Sequence, residues 1–418
     1  MLTVLAAIMT AILLVLGVLV APAGLYLLVL SIAAVLNPRR TEIEGTFEGQ
    51  KTDPARFIVL IPAHDEELLI GDTLRRLSDL NYPSDRFETV VIADNCSDAT
   101  AEIARRAGCP VLERAEPENP GKGQALDWAM GQHLADWPRH FDAVLIMDAD
   151  SYLNPDCLWF LSEQLRAGHE LLQAYYTVSN PEENWRTSLL TASLGLVHFL
   201  RPLGRDALGL PCGLKGNGFV MSRRLVLEHG YPARSNVEDV ELALLLRTRG
   251  IGARFVPGAR VYGQMTGSAE AAATQRTRWE GGRIAMIRQW SSVLLRKGVA
   301  RRGVGCLDGL IDLLIPPFAL LAAATAAVLV LSGLLMFFAP QTPAAVAFVP
   351  AAAATGCQCA YAVTGLVLIR APALIWRRML FAPVYVAWKM LVYAAMLARP
   401  SRLGRWKRTE RRARDSEQ

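Results

Sequence analysis

Residues 56–67 read RFIVLIPAHDEE, an unbroken apolar and β-branched run that ends in a polar cluster. A run of that length and composition predicts a strand covered on both faces. The pattern returns at 87–93 (FETVVIA), 109–112 and 141–147 (FDAVLIM), with helical stretches at 67–80, 98–107 and 124–135 between them. Strand and helix therefore alternate, which predicts an α/β fold with a mainly parallel sheet and ligands at the carboxyl ends of the strands. No GxGxxG follows the first strand, so a dinucleotide-binding unit is not supported.

Outward from this core the composition changes. The chain has 418 residues, 52% of them hydrophobic and 20% charged, and nearly all its Asp and Glu lie between residues 42 and 283. The two ends are apolar, which predicts a soluble middle held between membrane segments. Residues 2–36 carry no charge and would form a helix about 50 Å long, enough to span a bilayer once with a tilt. Arg39 and Arg40 follow directly and place the soluble middle on the cytoplasmic side. Residues 313–338 and 344–369 read as an outward and a returning span. Residues 371–398 carry Arg377, Arg378 and Lys389 among aromatic residues and read as an interfacial or transmembrane helix. Three crossings keep the basic run 399–414 inside, where it meets anionic headgroups more naturally than nucleic acid. The seven cysteines are odd in number and lack paired CxxC spacing, which speaks for reduced thiols and against a zinc site.

The polar residues cluster where the strands end. His64, Asp65 and Glu66 follow the first strand, Asp94 and Asn95 the second, and Asp148 and Asp150 the fourth. Each alone is an ordinary turn or capping residue. Asp148 and Asp150, at i and i+2, also offer hard oxygen ligands to Mg²⁺ or Mn²⁺. Gly121, Lys122 and Gly123 open a helix, where backbone donors and an ammonium favour an anion. Asn236 reads as the N-cap of a helix ended by Gly250. Glu238 and Asp239 then either complement the helix dipole or supply an ionised carboxylate, with lowered pKa, to take a proton. Gln275, Arg278 and Trp279 share one helix face, suited to phosphate oxygens and a flat sugar or base.

Taken in order, IPAHDEE, VIADNCSD, GKGQAL, DADS, VEDVE and QRTRW resemble the family 2 glycosyltransferases of the membrane-bound, cellulose-synthase-like branch. The resemblance implies a GT-A fold, Rossmann-like, over 56–290. The rest divides into a membrane helix at 1–38, a linker at 39–55, an interfacial connector at 291–312, two spans at 313–370, the helix at 371–398 and the basic tail at 399–418. It also implies a nucleotide-sugar donor, most often uridine-based, held by Pro62, Ala63, Asp65, Glu66, Asp94 and Lys122. Asp148 and Asp150 would take the metal and diphosphate, Gln275, Arg278 and Trp279 the pyrophosphate and acceptor, and Gly216, Asn217, Gly218 and Glu238 the acceptor. Asp239 would be the general base of an inverting transfer. Motif spelling is nearest to bacterial exopolysaccharide enzymes of the inner membrane, with a glycan or lipid-linked acceptor and other polysaccharide-synthesis proteins as partners. Transfer of one sugar to a lipid is the alternative, and a transporter or scaffold is disfavoured by the intact acidic motifs. Asp65 stands where many relatives have Asn, and Ala93 with Asp94 where many have two aspartates.

Overall fold

The computed structural model describes residues 2–51, 53–132, 140–265, 269–300, 303–340 and 343–398. One helix, α1 (Leu2–Leu36), opens the chain. A 3₁₀ stretch, Pro38–Glu44, follows it, capped by Asn37, whose side chain accepts from the Arg39 N–H at 2.9 Å. The catalytic unit begins with β1 (Phe57–Ala63), α2 (Ile70–Ser78), β2 (Phe87–Asp94), α3 (Thr100–Arg106), β3 (Val111–Arg114), α4 (Lys122–Gln132) and β4 (Ala143–Ile146). It continues through β5 (Ser151–Leu153), α5 (Cys157–Arg166), β6 (Leu171–Val178), α6 (Trp185–Leu194), a π-helical turn at Gly195–Leu200 and α7 (Arg201–Ala207). Then come β7 (Phe219–Ser222), α8 (Arg223–His229), α9 (Glu238–Arg247), β8 (Arg254–Gly263) and α10 (Ala269–Ala300).

The eight strands form one sheet in the order β3-β2-β1-β4-β7-β6-β8-β5. β3, β2, β1 and β4 run parallel, as the alternation predicts. β7 enters antiparallel beside β4 and β6, so the sheet is mixed overall. In β1 the alternation sends Ile58 and Leu60 to one buried cluster and Phe57, Val59 and Ile61 to the other. That is the two-sided burial expected of a strand with helices on both faces. The parallel direction brings His64, Asp94 and Asp148 to one edge.

Beyond the sheet, α11 (Val304–Leu314), α12 (Phe318–Phe338), α13 (Ala345–Leu368), α14 (Ala373–Arg378) and α15 (Ala382–Ala398) complete the described chain. Among the described residues three helical segments are long and apolar enough to cross a membrane: Ala7–Leu36, Phe318–Phe338 and Ala345–Leu368. The second starts later than the apolar run implied, because Pro316 and Pro317 separate α11 from α12 and a proline at such a position cannot continue a helix. Residues 371–398 form two short helices joined by a 3₁₀ turn, Met379–Phe381, and are not among these candidates. The basic tail at 399–418 lies outside the described residues. α10 runs without a break across residue 290.

The catalytic unit is fastened to α1 through α7. A Cβ built on Gly204 would lie 2.2 Å from the Leu30 carbonyl oxygen. Gly204→Ala is therefore expected to cost about 1–3 kcal/mol through overpacking, read as a lower thermal midpoint of the protein in detergent. An unchanged midpoint would show that the two helices are free to part.

Candidate active site

A cavity of about 590 Å³ opens at the carboxyl edge of the sheet. Lys122, the first residue of α4, donates to Asp148 Oδ1 and to the Gly216 carbonyl. The Asp148 N–H donates to Asn217 Oδ1 at 3.1 Å, Asn217 Nδ2 donates to Ser151 Oγ at 2.8 Å, and Ser151 Oγ donates to Asp150 Oδ1 at 3.0 Å. Buried Asn217 therefore braces the loop that holds both aspartates. Burial opposes the charge on Lys122, but Asp148 and then Glu238 outweigh it, and its pKa is raised.

α9 begins at Glu238, with Val237 rather than Asn236 in the N-cap position, and Glu241 Oε2 accepts instead from the Arg234 and Ser235 N–H groups at 3.1 and 2.9 Å. The expected lowering of the carboxylate pKa at this helix start does not hold. Burial pushes Asp239 up against the backbone donors and Lys122, and burial together with the Asp239 charge pushes Glu238 up to about 7. Desolvation in a cavity wall here exceeds the helix dipole, which contributes about 0.3–1 kcal/mol at exposed sites and up to about 2 kcal/mol where partly buried. Gly216, at φ +73°, keeps the loop close: a Cβ there would sit 3.4 Å from Asp239 Oδ2.

Gln275, Arg278 and Trp279 all reach the cavity from α10. Arg276 lies 5.6 Å from the Trp279 ring and 5.8 Å from that of Tyr385 on α15. Glu280 Oε1 accepts from Lys389 Nζ at 3.2 Å and from the Tyr393 hydroxyl at 2.8 Å. The helix bearing QxxRW is thus joined to α15, the last helix among the described residues.

The structure brings together Pro62, Glu66, Lys122, Asp148, Asp150, Gly216, Glu238, Asp239, Gln275, Arg278 and Trp279 on this one surface. Ala63, Asp65, Asp94, Asn217 and Gly218 are not part of the lining. Asp65 Oδ1 accepts from the Ser97 N–H at 2.7 Å, and Asp94 Oδ1 from Arg114 Nη1 at 2.6 Å. Gly218 has φ +67°, and a Cβ on it would meet Val261 Cγ2 at 2.2 Å, so its smallness serves the sheet. The motif reading missed Tyr176, His198, Arg201, Lys215, Arg283 and Asp312, which line the same cavity. Only Lys215 carried a signal, through its place beside Gly216.

A family model described as "Glycosyltransferase like family 2" matches residues 54–282. The chain belongs to this family. Its fold is GT-A, with three candidate membrane helices around the catalytic unit. Among similar curated proteins is the "Probable glycosyltransferase YdaM" of Bacillus subtilis (strain 168), 28% identical over 54% of this chain and 54% of the relative. Another is the "Beta-monoglucosyldiacylglycerol synthase" of Trichormus variabilis, 29% identical over 62% of this chain and 56% of the relative. The chain spans about half the length of the curated relatives it matches. A solved mannosyltransferase from Pyrobaculum calidifontis, in complex with GDP-Man and Mn²⁺, aligns with a TM-score of 0.46 at 17% identity, over 83% of this chain and 98% of its own.

Proposed function

We propose that this glycosyltransferase moves a sugar, with inversion, from a UDP-linked donor to a hydroxyl on a lipid or lipid-linked acceptor at the inner membrane. One observation carries the reading. The cavity that holds Asp148, Asp150 and Asp239 is also lined by Phe318, Ala319 and Ala322 of α12, Leu366 of α13 and Val386 of α15. An acceptor that reaches Asp239 along this wall meets charge at one end and membrane-helix side chains at the other. The diacylglycerol-linked product named for the Trichormus relative supports the same chemistry. Exopolysaccharide assembly is the second reading, supported by the spelling of the motifs.

Asp148 and Asp150 fit a divalent ion: both are hard oxygen donors on one loop, and Asp148 already attracts a cation, the Lys122 ammonium. Mg²⁺ or Mn²⁺ held there would supply positive charge to the departing diphosphate. Lys122, Gln275 and Arg278 grip the same phosphates, and Trp279 gives the sugar a flat apolar face. Asp239 takes the proton of the attacking hydroxyl. The chain's own donors thus meet charge where it develops on the leaving oxygens.

Orientation and acceptor can be tested together. Inverted membrane vesicles given external labelled UDP-sugars are expected to form label that extracts into organic solvent, while intact cells given the same donors are expected to form none. A water-soluble polymer as the only product would sink the lipid reading, and equal labelling of intact cells would sink the cytoplasmic placement.

A further inference from the structure

Past Asp239 the cavity wall is built from groups that the transfer step leaves unused. Lys215, Arg201 and Arg283 all line it. Asp312, which lines the cavity beside them, pairs with Arg205 Nη1 at 2.7 Å and Arg201 Nη1 at 3.4 Å, and Asp308 takes Arg205 and, at 3.2 Å, Arg247. Of the five cations here, three, Arg201, Arg205 and Arg247, pair with these two carboxylates. Two of the five are satisfied elsewhere. Arg283 Nη2 donates to the carbonyls of Asp312 at 3.1 Å and Leu313 at 2.8 Å, and Arg247 Nη1 to that of Gly305 at 2.8 Å.

Arg205 engages both carboxylates, which leaves Arg201 with one 3.4 Å contact to Asp312 and the Lys215 ammonium with no ion pair among the described residues. Arg201 is buried, and its Nε has no hydrogen-bond partner. Asp312 is the strongest opposite charge acting on Lys215, and Asp239 is influenced more by Lys122 than by Lys215. Burial still lowers the Lys215 pKa, so the existing carboxylates under-compensate it. His198 reports the same field. It stacks on Tyr176 at a centroid distance of 5.5 Å, its Nδ1–H donates to the Tyr176 carbonyl at 3.1 Å, and burial followed by the charge of Lys215 pushes its pKa down to about 3. Cations withdrawn from water are costly unless an anion meets them.

We propose that Lys215 and Arg201 form an anion subsite that receives a phosphate on the acceptor's headgroup, one step toward the membrane from Asp239. The assignment rests on the lipid-acceptor reading and narrows it: the acceptor is a phosphate-bearing lipid that presents a hydroxyl to Asp239. A lipid phosphate and free phosphate share this chemistry, and chain attachment separates them.

The full chain in phosphatidylcholine nanodiscs is titrated with dodecyl phosphate, the uncharged dodecyl ether of glycerol, and inorganic phosphate, with binding read by thermophoresis. Dodecyl phosphate is expected to bind about tenfold or more tighter than either of the others, as a charge-assisted contact in a dry site allows. Lys215→Gln should erase that preference while leaving UDP affinity unchanged, and Lys215→Arg should restore it. Equal binding of the charged and uncharged amphiphiles overturns the subsite. A loss of UDP affinity in Lys215→Gln with the preference intact assigns the cations to the donor diphosphate instead, and inorganic phosphate binding as tightly as dodecyl phosphate rules out a lipid headgroup. None of these readings needs turnover. A preserved preference without lipid-soluble product in the vesicle assay would keep the subsite and remove the proposed function.

Discussion

Asp239→Asn is expected to reduce turnover by about 10²–10⁴-fold while UDP affinity stays near that of the unaltered protein. The change keeps the size of the side chain and removes its capacity to accept a proton. Asp239 stands in the cavity wall, where burial raises its pKa, so it keeps its proton to higher pH than an exposed aspartate does. Turnover should fall as pH drops through that raised value, and the profile should carry the signature of a pair, since Glu238, pushed up to about 7, titrates beside it. If Asp239 only complements the dipole of α9, the substitution would cost about 0.3–1 kcal/mol of stability and leave the rate nearly intact. Transfer rate measured with UDP affinity across pH separates these outcomes. Near-normal turnover would move the proton acceptor to Glu238.

The second large effect belongs to the paired aspartates. Asp148→Asn and Asp150→Asn are each expected to lower the rate by about 10²–10³-fold, the scale on which one aimed electrostatic contact to a developing charge is worth. EDTA should abolish transfer by the unaltered protein, and added Mn²⁺ or Mg²⁺ should restore it. Asp148→Asn has a further consequence, because it leaves the Lys122 ammonium facing an amide in place of its ion-pair partner. That variant should be less thermally stable than the unaltered protein. Full activity in chelator would reject the metal assignment, and an unchanged thermal midpoint in Asp148→Asn would show that the Lys122 pair contributes little.

The first half of the sheet was legible because β1, β2 and β4 are continuous apolar runs, each followed by a polar strand end. The second half was not. β5 and β7 have three and four residues, too few to show a period, and β8 carries Pro257 and Gly258 where its pairing with β6 shifts register. Residues 315–317 lie inside an apolar stretch, so composition alone hid the break that the two prolines impose. For the site, spacing located Asp239 and Glu238 but could not report how deeply a helix start is buried, and burial decided the sign of their pKa shifts. His198 and Arg201, three residues apart, are brought to Lys215 only by the folded chain, and no local pattern marks the first two.

The junction between α10 and α15 bears on how the molecule can be divided. The family match ends at residue 282, inside α10, and Glu280 on that helix is held by Lys389 and Tyr393 more than a hundred residues later. A cut at the apparent end of the catalytic unit would sever a continuous helix and strip the pocket of the wall that α11 to α15 provide. Two of the candidate membrane helices, α12 and α13, are therefore part of the pocket wall, and a portion cut before them would be an incomplete enzyme rather than a smaller one.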